Sequence, residues 1–197
     1  MNSQNQKQPV PLPDSLEAIR SEIDRLDDAL LELLERRIAA SIKVAALKQA
    51  EHSDRLRIRP AREAAIIERL TGRARHASPA LVTQIWRAVM AHSVQTQVRM
   101  ELVLCADGDK ANLLRKVRTR FGEAAPVRWV EDAAEALDAA RNREAVAIVA
   151  PALVDPAQLQ GSISVFDAIR DGAGEVLALA IGRVAPEDRL LEREAAR

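Results

Sequence analysis

The chain has 197 residues, 48% of them hydrophobic, and its 29 Lys plus Arg balance its 29 Asp plus Glu. A neutral chain lacks the general positive field of a nucleic-acid binder, and two Phe, two Trp and no Tyr leave few platforms for stacking bases. A single cysteine, Cys105, and three scattered histidines, His52, His76 and His92, rule out an internal disulfide or a multi-cysteine metal site and show no metal-ligand spacing.

The opening "MNSQNQKQPVPLP" is polar and contains prolines, so residues 1–13 read as a disordered tail. "PDSLE" then starts a helix, with Asp14 as cap and Glu17 completing a capping box. From there an apolar seam runs through Ile19, Ile23, Leu26, Leu30 and Leu33. It continues through Ala40, Val44 and Leu47 at alternating steps of four and three, the period of a helix that buries one face. The pattern lasts to about Ala50, a helix of about 50 Å. That is long for a chain of this size, and the seam asks for a second chain to cover it.

"EHSDRLRIR" reads as a polar, aperiodic loop in which Arg55, Arg57 and Arg59 form a solvated basic surface or guide an anion. Pro60 suits the first turn of a second helix, and "AREAAIIERL" carries it to about Arg75. Ser78 caps a third helix with Pro79 at its first position. Leu81, Ile85 and Val89 mark its buried face, and it ends near Met100. Short strands follow. "ELVLCA", "VRWV", "AVAIVAP" and "EVLALAIGRV" read as strands, with "KANLLRKVRTRF" and "DAAEALDAARN" as helices between the first three. Such alternation predicts a small, mainly parallel sheet with crossover helices. The expected organisation is a helical domain over 14–100, an α/β domain over 101–185 and a charged tail over 186–197. The longest apolar run, "AVAIVAPALV", is far short of a membrane span, so a soluble cytoplasmic protein with no membrane partner is expected.

Arg37 occupies a position in the apolar seam of the first helix. A cation there needs an anion or must reach water; an intrahelical pair with Glu32 or Glu35 is one solution. Lys48 lies eleven residues on, close to three turns, and about 16 Å along the axis. Ser41 and Ala45, both small, lie between them, so both long side chains could lean toward one small anion. Arg20 is about 42 Å from Lys48 along the same helix, so it could serve such a ligand only in the site of a second chain. In the third helix the stripe Leu81, Ile85, Val89 turns polar at Ser93 and Gln97, and buried polar groups need partners. The second helix adds Arg62 and Glu63. Together these groups describe a pocket for a small polyanion, with no nucleophile, paired carboxylates, metal cluster or glycine loop, and therefore no cofactor.

The ordered set of Arg20, "LLELLERR" ending in Arg37, Lys48, "RE" at Arg62–Glu63, and "SVQTQ" with Ser93 and Gln97 resembles the all-helical chorismate mutases over residues 14–100. The resemblance implies an intertwined homodimer that converts chorismate to prephenate on the way to Phe and Tyr. Arg37 and the partner subunit's Arg20 would hold two carboxylates. Lys48 and Gln97 would donate to the ether oxygen. Arg62 and Ser93 would help fix carboxylates, and Glu63 would take the ring hydroxyl. Isochorismate-pyruvate lyase on the same fold, or a catalytically silent regulatory dimer, would share the pocket. One departure stands out: Arg59 occupies a position where well-known members carry an Asp. Residues 101–185 resemble part of a prephenate dehydratase domain but are about half its length. "TRF" at Thr119–Phe121 matches a dehydratase motif only in letters, "DGD" at Asp107–Asp109 reads as a turn, and Cys105 reads as a core residue.

Overall fold

The computed structural model describes residues 15–49, 55–141, 145–159 and 161–190, with the side chains of Lys48 and Gln49 outside that description. The expectations of a disordered tail over 1–13 and of Asp14 as a cap therefore fall outside the described residues. The described chain groups into two compact units divided between Lys43 and Val44.

Helix α1 spans Leu16–Gln49 without interruption, as the seam and the absence of Gly and Pro from that stretch dictate. Its first turn is capped by Ser15, whose Oγ accepts a hydrogen bond from the Ala18 amide at 3.2 Å. In the first unit the seam faces out. Ile23 and Leu26 are each 51% exposed, Leu30 63% and Leu33 58%.

The second unit carries the rest. Helix α2 is Pro60–Thr71, ending one turn earlier than expected, with Gly72 after it. Helix α3 is Pro79–Gln97, with the Ser78 hydroxyl accepting from the Leu81 amide as its N-cap. Strands β1 (Glu101–Cys105), β2 (Val127–Trp129), β3 (Ala145–Val149), β4 (Ser164–Arg170) and β5 (Val176–Gly182), with helices α4 (Lys110–Phe121) and α5 (Ala133–Ala140), complete the chain. The sheet order is β2-β1-β3-β5-β4. The first three strands are parallel, as the strand–helix alternation predicts, and the β4–β5 hairpin adds two antiparallel pairings. The sheet is thus mixed. Strand β4 was not among the sequence expectations.

β1 and β3 are covered on both faces, which is why they read as continuous apolar runs. Leu102, Leu104, Val146 and Ile148 face α4 together with Leu113, Val117 and Phe121. Val103, Cys105, Ala147 and Val149 face α5. Phe121 meets Phe166 of β4 edge-on, with ring centroids 6.4 Å apart. Each fully buried aliphatic side chain contributes about 1.5–3 kcal/mol. An exposed pair such as Arg141–Asp138 contributes about 0–1 kcal/mol, so this aliphatic core governs the unit's stability.

The segment before α2 corrects the expectation of a polar, solvated loop. Leu56 and Ile58 are 4% and 2% exposed and belong to the same core as the α4 face of the sheet. The Leu56 amide donates to the Arg183 carbonyl at 2.7 Å. This close passage explains Gly182, because a Cβ there would lie 2.4 Å from Leu56 Cδ1. Val94 and Met100 join that core too, so packing runs across residue 100. The expected boundary there marks a change from helices to strands.

Cys105 is 2% exposed. Burial first, and then the charges of Asp107 and Asp132, push its thiol above the ordinary range against a smaller opposing effect of Lys110. A thiol with a raised pKa stays protonated at neutral pH and is a poor nucleophile. A disulfide-exchange reagent at pH 7.5 should modify it slowly in the native protein and rapidly in denaturant. Rapid native modification would contradict this packing.

Candidate active site

The seven residues singled out by the sequence fall on three helices. Arg20, Arg37 and Lys48 lie on α1, with Lys48 in its final turn and its side chain outside the description. Arg20 is exposed and Arg37 half-buried. Burial lowers the Arg37 guanidinium from its ordinary value, yet an arginine stays charged in any such setting. Arg62 and Glu63 lie in the first turn of α2, and Ser93 and Gln97 near the end of α3.

In the second unit α2 packs against α3, and α3 against α4. The face that α3 buries differs from the one expected. Val82, Met90, Ser93 and Val94 are buried, whereas Leu81 and Ile85 are 48% and 44% exposed. Because α2 and α4 both press on α3, the covered stripe is rotated toward 82, 90 and 94. Ser93 lies on it, 5% exposed, and its hydroxyl donates to the Val89 carbonyl at 2.8 Å. Gln97 is half-buried in the last turn, and Arg62 is exposed.

Glu63 has a partner the sequence did not suggest. Its Oε2 receives Nη2 of Arg120, from the last turn of α4, at 2.9 Å. The same guanidinium donates through Nε to Asp167 Oδ2 on β4 at 2.6 Å. The Arg120 and Glu63 side chains are only 13% and 15% exposed. Burial alone would lower the Arg120 pKa, but the two carboxylates outweigh it and raise the value, so this cation is held firmly charged. Arg87 of α3 also feels the cluster. Desolvation and the Arg120 charge lower its pKa, against the pull of Asp167 and Glu63. The crevice beside Arg120, lined by Ile58, Glu63, Ala91, Val94, Met100 and Phe121, holds about 10 Å³. That is room for about one water molecule, too little for an organic dianion.

A second attachment reaches the same turn of α2. Asp188, 0% exposed, accepts the Ala61 amide at 2.9 Å through Oδ1. Its Oδ2 accepts Arg59 Nε at 2.7 Å, and Arg59 Nη2 pairs with Glu187 at 3.0 Å. Arg59 itself makes no side-chain cap for α2; Asp188 supplies that cap from the far end of the chain, an anion at a helix N-terminus. Two expectations are corrected. Arg59 is ion-paired rather than a solvated charge, and the segment from 186 begins as a packed 3₁₀ turn, Pro186–Asp188, with 191–197 outside the described residues.

Arg37 and Lys48, Arg62 and Glu63, and Ser93 and Gln97 thus lie on three successive helices. Residues 19–98 match the chorismate mutase type II family. The match covers α1 from Ile19, α2 and α3, and stops before β1. Comparison with curated proteins and with solved structures returns no match, so the likeness of 101–185 to a prephenate dehydratase domain finds no confirmation. Among the described residues no helix is long and apolar enough to cross a membrane, and no group of His, Cys, Asp or Glu could hold a metal ion.

Sequence reasoning missed Arg120 and Asp188, both outside the matched residues 19–98. Arg120 had a signal. It follows Leu113 and Val117 on the apolar stripe of α4, the same kind of misplaced cation as Arg37. Asp188 had none, since its partners lie 127 and 129 residues away.

Proposed function

We propose that the protein is a homodimeric chorismate mutase that rearranges chorismate to prephenate in the biosynthesis of Phe and Tyr. The observation that carries this reading is the match of residues 19–98 to the chorismate mutase type II family, a span that contains all seven candidate residues. The reaction is unimolecular. An ether C–O bond breaks while a C–C bond forms, and no proton or nucleophile is required. Negative charge grows on the ether oxygen, so fixed donors aimed at it stabilise the transition state more than the ground state. Lys48 and Gln97 take that role. Arg37 and the partner subunit's Arg20 clamp the carboxylates, with Arg62 assisting, and so select the compact reactive conformer; Ser93 would join them only by turning its hydroxyl away from the Val89 carbonyl. Glu63 accepts the ring hydroxyl through Oε1, Oε2 being engaged by Arg120. The exposed seam of α1, with Leu30 and Leu33 each more than half exposed, is the surface a second copy would cover.

Subunit complementation tests the arrangement. Arg20→Ala and Arg37→Ala dimers should each be nearly inactive. After mixing, unfolding and refolding together, about half of the dimers are mixed, and each has one intact site in a two-fold symmetric assembly. About a quarter of wild-type turnover should return. No recovery, with mixed dimers demonstrated by mass, would refute the shared site. One rival, a catalytically silent regulatory dimer, predicts no turnover in the wild type.

A further inference from the structure

The first turn of α2 carries Arg62 and Glu63, and the α/β half grips that turn twice. Arg120 from α4 holds Glu63 Oε2 at 2.9 Å while itself anchored to Asp167 on β4 at 2.6 Å. Asp188 holds the Ala61 amide and Arg59 on either side of Pro60. The two grips come from opposite edges of the α/β half's sequence, one from its first helix and one from the turn after its last strand.

The grip on Glu63 is specific in kind. A carboxylate on a surface helix samples several rotamers, whereas a nearly buried one, bonded to an arginine fixed by a second carboxylate, is held in one. A hydrophobic contact would have sufficed to dock α2 on the α/β half. An ion-pair network that leaves one oxygen of Glu63 for another donor does more, because it sets where that oxygen points.

We propose that Arg120, steadied by Asp167, is a positioning residue for Glu63, by which the α/β half sets the hydroxyl-binding end of the substrate pocket. The proposal rests on the mutase reading above. It makes the appended half a working part of the site rather than a passive fusion. Arg120 does not touch substrate. It orders the group that does, and that group meets the hydroxyl equally in the ground state and the transition state. Loss of such uniform binding raises KM and leaves kcat nearly unchanged.

The test is steady-state kinetics on Arg120→Met, Arg120→Lys and Asp167→Asn, beside the wild type and with thermal unfolding of each. Arg120→Met should raise KM for chorismate by about 10-fold, the scale of one charge-assisted hydrogen bond, with kcat within about threefold. Arg120→Lys should recover part of the KM, and Asp167→Asn should show a smaller rise in the same direction. If Arg120→Met does not fold, Asp167→Asn decides. Wild-type KM in the folded variants, or a fall in kcat alone, overturns the positioning role. A wild type that does not consume chorismate overturns the functional reading instead, so the two failures are distinct.

Discussion

Replacing Lys48 by alanine is expected to lower the turnover of chorismate at least about 100-fold, the loss that follows removal of one oxyanion-type donor. Lys48 lies in the last turn of α1, about three turns from Arg37 along nearly the same face. If its ammonium donates to the ether oxygen, the bond strengthens as charge develops, and its loss appears in kcat. If Lys48 were only part of a surface ion pair, its removal would cost about 0–1 kcal/mol, a few-fold at most. The two readings therefore differ by more than an order of magnitude. The measurement is the initial rate of chorismate loss in a variant shown by circular dichroism to keep its helix content. A folded variant with near-wild-type kcat would remove Lys48 from the mechanism.

Replacing Asp188 by alanine is expected to destabilise the protein by about 2 kcal/mol, combining a lost helix N-cap with a lost charge-assisted hydrogen bond. Asp188 is wholly buried, and its removal leaves the Ala61 amide without its acceptor. Full loss of a buried ion pair costs about 3–5 kcal/mol, but the Arg59 side chain is 41% exposed and water can solvate it, so the smaller figure applies. Asp188→Asn keeps an acceptor for the amide but turns its nitrogen toward another donor, and should fall between the two. Urea unfolding followed by circular dichroism reads the difference. A midpoint unchanged in Asp188→Ala would show that the 3₁₀ turn does not hold α2.

Periodicity carried far in this chain, and its failures have physical causes. The four–three spacing of α1, the Ser78–Pro79 start of α3 and the apolar runs of β1 and β3 reflect local rules that the fold keeps. The segment Arg55–Arg59 alternates Arg, Leu, Arg, Ile, Arg, a period of two that buries Leu56 and Ile58, while the three arginines give the stretch the composition of a polar loop. β4 escaped because a register shift between Val165 and Asp167 breaks its alternation and Asp167 places a charge inside it. The face of α3 depends on where α2 and α4 press, which no local spacing records.

The candidate site divides in the same way. Arg37, Arg62, Glu63, Ser93 and Gln97 were visible because each is a polar or charged group at a helical position with a fixed spacing to the others. Arg120 stands out as a cation on the apolar stripe of α4, but its partner Glu63, like the partners of Asp188, is legible only in three dimensions. The seam of α1 was visible as apolar, and its exposure in the described chain is what leaves a face for a second copy in the proposal above.

The most direct measurement is the loss of chorismate absorbance on adding purified protein at pH 7.5, with the product identified by mass spectrometry and its acid conversion to phenylpyruvate. The account predicts enzyme-dependent loss with prephenate as product. No loss, or salicylate and pyruvate in place of prephenate, would contradict it.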